Sequence, residues 1–166
     1  NGSLDLAKRL IDVASQAGAD AVKFQTFKAK HLVAKDAQKA QYQKENSGTN
    51  ESQFQMLQKL ELDVQTHKEL IAYANTKNIT FLSTPFDLES VDLLDELGLK
   101  IFKIPSAEIT NFPYLHKIGS LNKQIVLSTG MATMQEIAES LQVLINAGTK
   151  KKNITDFIQP ADPFVW

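Results

Sequence analysis

Apolar positions fall along this chain in two alternating rhythms. In LDLAKRLIDVASQAG (4–18), Leu6, Leu10, Ile11, Val13 and Ala14 recur along one helical face, and Gly18 closes the segment. ADAVKFQTF (19–27) then gathers apolar residues into a short run that predicts a strand. The polar stretch 28–50 has little periodicity and ends in the turn-rich NSGTN. ESQFQMLQKL and VQTHKELIAYANTKN (64–78) return to helical spacing, and ITFLSTPFD (79–87) reads as a strand entering a proline turn. The cycle repeats, with helices over 88–98, 111–121 and 133–148 and strands over 100–106, 123–130 and 152–158. Gly18, Gly98 and Gly148 stand where left-handed helix caps are expected. Near-continuous apolar strands alternating with helices predict an α/β domain with a parallel sheet.

Polar residues gather at the C-terminal ends of successive strands. Lys23 and Gln25 occupy the first, Ser83 and Thr84 the second, Lys103 and Ser106 the third, Ser128 and Thr129 the fourth. A site built from one or two residues per strand end is the habit of a TIM (β/α)8-barrel, and no G-x-G-x-x-G loop argues for an open dinucleotide-binding sheet. About five strands are visible in 166 residues, whereas a full barrel takes about 250. The expectation is one partial barrel domain over 1–166.

Composition narrows the classes. The net charge of −1 offers no field for nucleic acid or an anionic membrane, and KKK at 150–152 reads as a solvated turn. No apolar run nears the ~18 residues of a membrane helix. There is no cysteine, which excludes thiolate metal sites and suits a reducing compartment; the cytoplasm is the expected location. His31, His67 and His116 are scattered without metal-ligand spacing, and Met56, Met131 and Met134 read as packing residues.

Lys23 and Lys103 are the informative residues. Either alone reads as a lysine snorkelling from a strand end. Together at corresponding ends of a parallel sheet they point to an anion, with hydroxyls from Thr84, Ser106 and Ser128 suited to phosphate or carboxylate oxygens. Gln25 shares the parity of Lys23. Glu108 is open between a helix N-terminal charge and a carboxylate that holds a sugar hydroxyl or moves a proton. Asp87 reads as a helix N-cap.

Taken in order, KFQTFKA, KAQYQ, FLSTPFDLES, IFKIPSAEITNFPYL and IVLSTGMATMQEI resemble the sialic acid synthase family, which includes N-acetylneuraminate and legionaminate synthases. The resemblance covers residues 1 to about 155 of the chain. It implies a transferase that condenses phosphoenolpyruvate with an N-acetylated amino sugar such as N-acetylmannosamine and releases phosphate. Lys23, Thr84, Lys103, Ser106 and Ser128 match the phosphoenolpyruvate set, Gln25 and Glu108 the sugar side, and Lys103 and Glu108 are the residues to which catalysis is assigned. A divalent metal, usually manganese, is implied, with ligands outside this chain; a homodimer is expected.

The family pattern begins with a strand like AEIGxNHNG, of which this chain has only Asn1-Gly2, and departs again after Thr155. Ala107 stands where relatives carry glycine. The expectation is therefore an N-terminal barrel portion without the first strand, the later strands or the C-terminal antifreeze-like domain, with very slow turnover or none by itself. The alternatives are a non-catalytic half-barrel that binds an anion or self-associates, and another phosphoenolpyruvate-condensing keto-sugar synthase.

Overall fold

The computed structural model describes residues 2–35, 37 and 52–156. The segment KAQYQ and residues 157–166 lie outside them. The chain divides into two compact units, Asn1–Leu82 and Ser83–Trp166.

Helix boundaries follow local chemistry. Six helices open on a side chain that accepts the amide of the third residue onward: Ser3, Ser52, Asp63, Asp87, Asn111 and Thr133. Each satisfies one of the backbone donors that a helix start leaves unpaired. The expected cap at Asp87 is among them, and its second oxygen accepts the Ser90 hydroxyl at 2.9 Å. Gly18, Gly98 and Gly148 end helices with φ of 77°, 81° and 122°, as their positions predict. Asn78 and Asn122, at φ of 52° and 50°, do the same work. Asparagine tolerates this region better than other side chains.

The first unit runs α1 (Leu4–Gln16), β1 (Ala21–Thr26), α2 (Ala29–Leu32), α3 (Gln53–Gln58) and α4 (Val64–Thr76), and ends inside β2 (Thr80–Pro85). Its core joins Ala7 and Ile11 of α1 to Leu70 and Ala74 of α4, with Ile79 and Phe81. Phe24 of β1 stacks on Phe81, centroids 5.3 Å apart. At the surface, the Tyr73 hydroxyl donates to Asp12, which also receives the Lys77 ammonium at 2.7 Å. The single buried face expected for α1 is narrower than its apolar pattern: Leu6, Leu10 and Val13 are 44%, 53% and 62% exposed. They rotate away from the side that meets α4.

The second unit holds α5 (Leu88–Glu96), β3 (Ile101–Ile104), α6 (Phe112–Ser120), β4 (Gln124–Leu127), α7 (Met134–Asn146) and β5 (Ile154–Asp156). The three strands are parallel in the order β3-β4-β5, with Lys103 opposite Val126 and Val126 opposite Thr155. Phe102, Ile104, Ile125 and Leu127 are fully buried on one face. Ile101, Lys103 and Val126 alternate onto the other, which is only half-buried. The third strand stops one residue before Pro105, which has no amide to continue a ladder. The last strand is shorter than its pattern predicts, because 151–153 form a 3-10 turn, and the tail of that prediction lies outside the described residues. Met131 and Met134 are exposed rather than packed: one follows Gly130 in a loop, the other is the first residue of α7.

Gly119 sets how closely α6 and α7 approach. A Cβ there would lie 2.7 Å from Ala147 Cβ and 2.9 Å from the Leu144 carbonyl, and the Gly119 carbonyl accepts the Thr149 hydroxyl. Gly119→Ala gains about 1 kcal/mol of helix propensity but incurs overpacking of about 1–3 kcal/mol against backbone. A net loss of about 1 kcal/mol is expected, read as a lower urea midpoint with unchanged far-ultraviolet circular dichroism; an equal or higher midpoint contradicts the close packing.

Candidate functional site

Of the seven predicted site residues, Lys23 and Gln25 stand in the first unit, and Thr84, Lys103, Ser106, Glu108 and Ser128 in the second.

In the first unit, alternation along β1 exposes Lys23 and Gln25 while Thr26 is buried. Both exposed residues line a cavity of about 300 Å³ whose other walls include Leu10, Phe27, Leu57 and Leu60. The strand end is anchored from behind. His67 of α4 is wholly buried; its Nδ1 lies 2.8 Å from the Asp63 carbonyl and its Nε2 2.8 Å from the Thr26 hydroxyl. A carbonyl only accepts, so Nδ1 carries the proton and Nε2 receives the threonine hydroxyl. Burial, opposed by Asp63, holds His67 below the usual histidine pKa of 6.5, and it is neutral in the fold. The next turn is tied by Glu61, which accepts the Ala29 amide at 2.7 Å and pairs with Lys28 at 3.3 Å.

In the second unit, the sheet places Lys103 and Ser128 on the face opposite the buried core, and the Ser128 amide donates to the Ile104 carbonyl, continuing the β3-β4 ladder. Ser106 begins the 3-10 turn after β3, against Gly130. A Cβ at Gly130 would fall 2.6 Å from both Cβ and Oγ of Ser106, and φ there is 53°, so the loop after β4 closes on Ser106 only with glycine. Glu108 accepts from the Asn111 side-chain amide at 2.6 Å, and Asn111 turns its oxygen to cap α6. Glu108 thus braces a helix start and remains half-exposed.

Thr84 is the anomaly. It is 1% exposed, and its hydroxyl has no hydrogen-bond partner among the described residues. A buried hydroxyl left unpaired costs about 1–3 kcal/mol. Such groups are rare in folded proteins and mark places where an unseen water or ligand supplies the partner.

Among the described residues, no group of three or more His, Asp or Glu side chains is placed to hold a metal ion. The divalent metal expected from the resemblance therefore finds no fitting donor set there. His31 and His116 are exposed and His67 is spent on Thr26. No described helix is long and apolar enough to cross a membrane.

The NeuB family model matches residues 10–156. The chain belongs to the NeuB family. It is 64% identical over 155 residues to an N,N'-diacetyllegionaminic acid synthase of Campylobacter jejuni, covering 93% of this chain and 46% of that protein. An N,N'-diacetyllegionaminic acid synthase of Legionella pneumophila is 48% identical over 87% of this chain and 40% of its own length. The crystal structure of an N-acetylneuraminic acid synthetase from Leptospira borgpetersenii, in complex with citrate, superposes with a TM-score of 0.75 at 28% identity, covering 93% of this chain and 48% of that one. The chain thus spans less than half the length of these relatives, and its fold is that of an incomplete α/β barrel with five described strands.

Three residues that organise these strand ends were not singled out from sequence for that role. His67, and Tyr114, whose hydroxyl donates to the Pro85 carbonyl at the end of β2, sit in helical patterns where nothing distinguishes a partnered polar group from a packing one. Gly130 carried a signal, a glycine directly after the Ser128-Thr129 pair at a strand end, but its meaning needs the position of Ser106.

Because folded His67 binds its proton less tightly than the unfolded side chain, the unfolded chain takes up more protons below about pH 6.5. Stability is therefore expected to fall as pH drops from 7.5 through 6.5 to 5.5. In His67→Gln, stability at pH 7.5 should be lower by about 1–2 kcal/mol and its decline over that range flatter. Urea unfolding at each pH measures this; parallel declines contradict the assignment.

Proposed function

We propose that the chain is the phosphoenolpyruvate-binding, N-terminal barrel portion of a synthase that condenses phosphoenolpyruvate with an N-acetylated amino sugar and releases phosphate. The observation that carries the reading is the Thr84 hydroxyl, buried and unpartnered at the end of β2. In the same unit, Lys103 and Ser128 share the non-core face of the sheet and Ser106 lies in the loop against Gly130. An ammonium and three hydroxyls are donor types suited to phosphate and carboxylate oxygens, which accept several hydrogen bonds at once. Glu108, held by Asn111, is the residue proposed to take a sugar hydroxyl or a proton. Its orientation is set before any ligand arrives, which is what positioning demands.

In the reaction, the terminal enol carbon of phosphoenolpyruvate forms the new bond to the sugar's aldehyde carbon, whose oxygen takes up a proton; water adds at the phosphate-bearing carbon, and phosphate departs to leave the 2-keto group. Cationic and hydroxyl donors aimed at the phosphate stabilise the charge that develops as it leaves. The resemblance gives Lys23 the same ligand and Gln25 the sugar. The manganese it implies is assigned to residues outside those described, and the 166-residue chain is expected to turn over very slowly or not at all. A legionaminate-type acceptor is favoured by the 64% identity to the Campylobacter synthase.

A second reading has its own observation. Leu6, Leu10 and Val13 form an exposed apolar stripe on α1, which suits self-association of the chain. Titration calorimetry with phosphoenolpyruvate separates the two. Binding is expected in the parent chain and weaker by about 10-fold or more in Lys103→Ala and Lys23→Ala, the range for losing a hydrogen bond to a charged group. Absence of binding, with a dimer by light scattering that Leu10→Glu disrupts, favours the structural reading instead.

A further inference from the structure

The turn that carries Thr84 is held at two points, and the second lies far along the chain. Pro85 follows Thr84 directly, which confines Thr84's backbone to extended conformations. The Pro85 carbonyl then accepts the hydroxyl of Tyr114, from the first turn of α6, at 2.7 Å. Tyr114 is 1% exposed. Burial above all, with the carboxylates of Glu108 and Asp87 adding to it, raises the phenol well above its ordinary range, so it remains a donor at every working pH. Thr84 is itself β-branched, with few rotamers open to it.

We propose that Tyr114 is a positioning residue for ligand binding: by fixing the Pro85 carbonyl it aims the unpartnered Thr84 hydroxyl at the anion. This rests on the phosphoenolpyruvate reading above and deepens it. The geometry makes a division of labour along one helical turn. Asn111, at the cap, sets Glu108; Tyr114, three residues on, sets Thr84. One helix start therefore orients a residue proposed for each substrate. The carbonyl that the Tyr114 hydroxyl meets adjoins the single buried hydroxyl without a hydrogen-bond partner among the described residues.

The test pairs a ligand-free readout with a binding one, in the 166-residue chain. Tyr114→Phe removes only the hydroxyl, and Gly119→Ala serves as a control destabilised in the same helix. In methyl NMR spectra without ligand, the Thr84 methyl resonance is expected to move or broaden in Tyr114→Phe and to stay in place in Gly119→Ala. Calorimetry with phosphoenolpyruvate should show affinity lowered about 10-fold in Tyr114→Phe, the loss of one well-aimed hydrogen bond to an anion, and unchanged in Gly119→Ala. In a Thr84→Val background, Tyr114→Phe should have no further effect on binding, since coupling requires both groups. An unmoved Thr84 methyl, equal affinity in Tyr114→Phe, or additive losses in the double variant overturns the proposal. If the parent binds no phosphoenolpyruvate, the functional reading fails and the methyl resonance alone decides the positioning role. Should Tyr114→Phe not fold, Pro85→Ala frees Thr84 while leaving a carbonyl for the phenol; the same methyl shift is expected, and its absence counts against the proposal.

Discussion

Four side chains on two neighbouring strands, Phe102, Ile104, Ile125 and Leu127, are completely buried, and the parallel register of β3 and β4 puts them side by side. Because the side-chain period of a strand is two, that burial forces Lys103, Val126 and Ser128 to the opposite face. A one-residue slip would drive the lysine into the core, where an unpaired ammonium is prohibitively costly. The polar face of the second unit is therefore a consequence of its apolar face. Everything proposed for ligand binding there, from Lys103 to the turn that carries Ser106, depends on this register holding.

The turns after the strands are built to the same end by different means. After β3, Pro105 ends the ladder and a 3-10 turn delivers Ser106 and Glu108; after β4, Gly130 lets the backbone close on Ser106. After β2, Pro85 and the Tyr114 hydroxyl fix Thr84. After β1, His67 and Glu61 hold Thr26 and Ala29. Each of these four strand ends has a buried or hydrogen-bonded brace behind it, which is how side chains on loops keep a geometry that binding can use.

Much of the architecture was legible from sequence because it rests on local rules. Periodicity located the longer helices but not the short α2, which lies in the polar stretch read as aperiodic, and the glycines at 18, 98 and 148 marked helix ends by backbone stereochemistry alone. Asn78 and Asn122 were missed because asparagine ends a helix only in context. The exposure of Leu6, Leu10 and Val13 was not legible either: an apolar stripe says what wants burial, and the partner that supplies it is a tertiary fact. For the candidate site, residue types at strand ends were readable, as was the family their motifs resemble. The orphaned hydroxyl of Thr84 and its brace from Tyr114 were not, since Pro85 and Tyr114 lie 29 residues apart in sequence.

We propose that the strand ends of the second unit bind an anion through Thr84, Lys103, Ser106 and Ser128. The most direct measurement is the amide NMR spectrum of the labelled chain titrated with phosphoenolpyruvate. Saturable shifts are expected at Thr84, Ser106, Ser128 and Gly130, with the outer helical positions such as Glu139 and Gln142 unmoved. Saturable shifts that leave those four residues untouched, or no shifts at all, would contradict it.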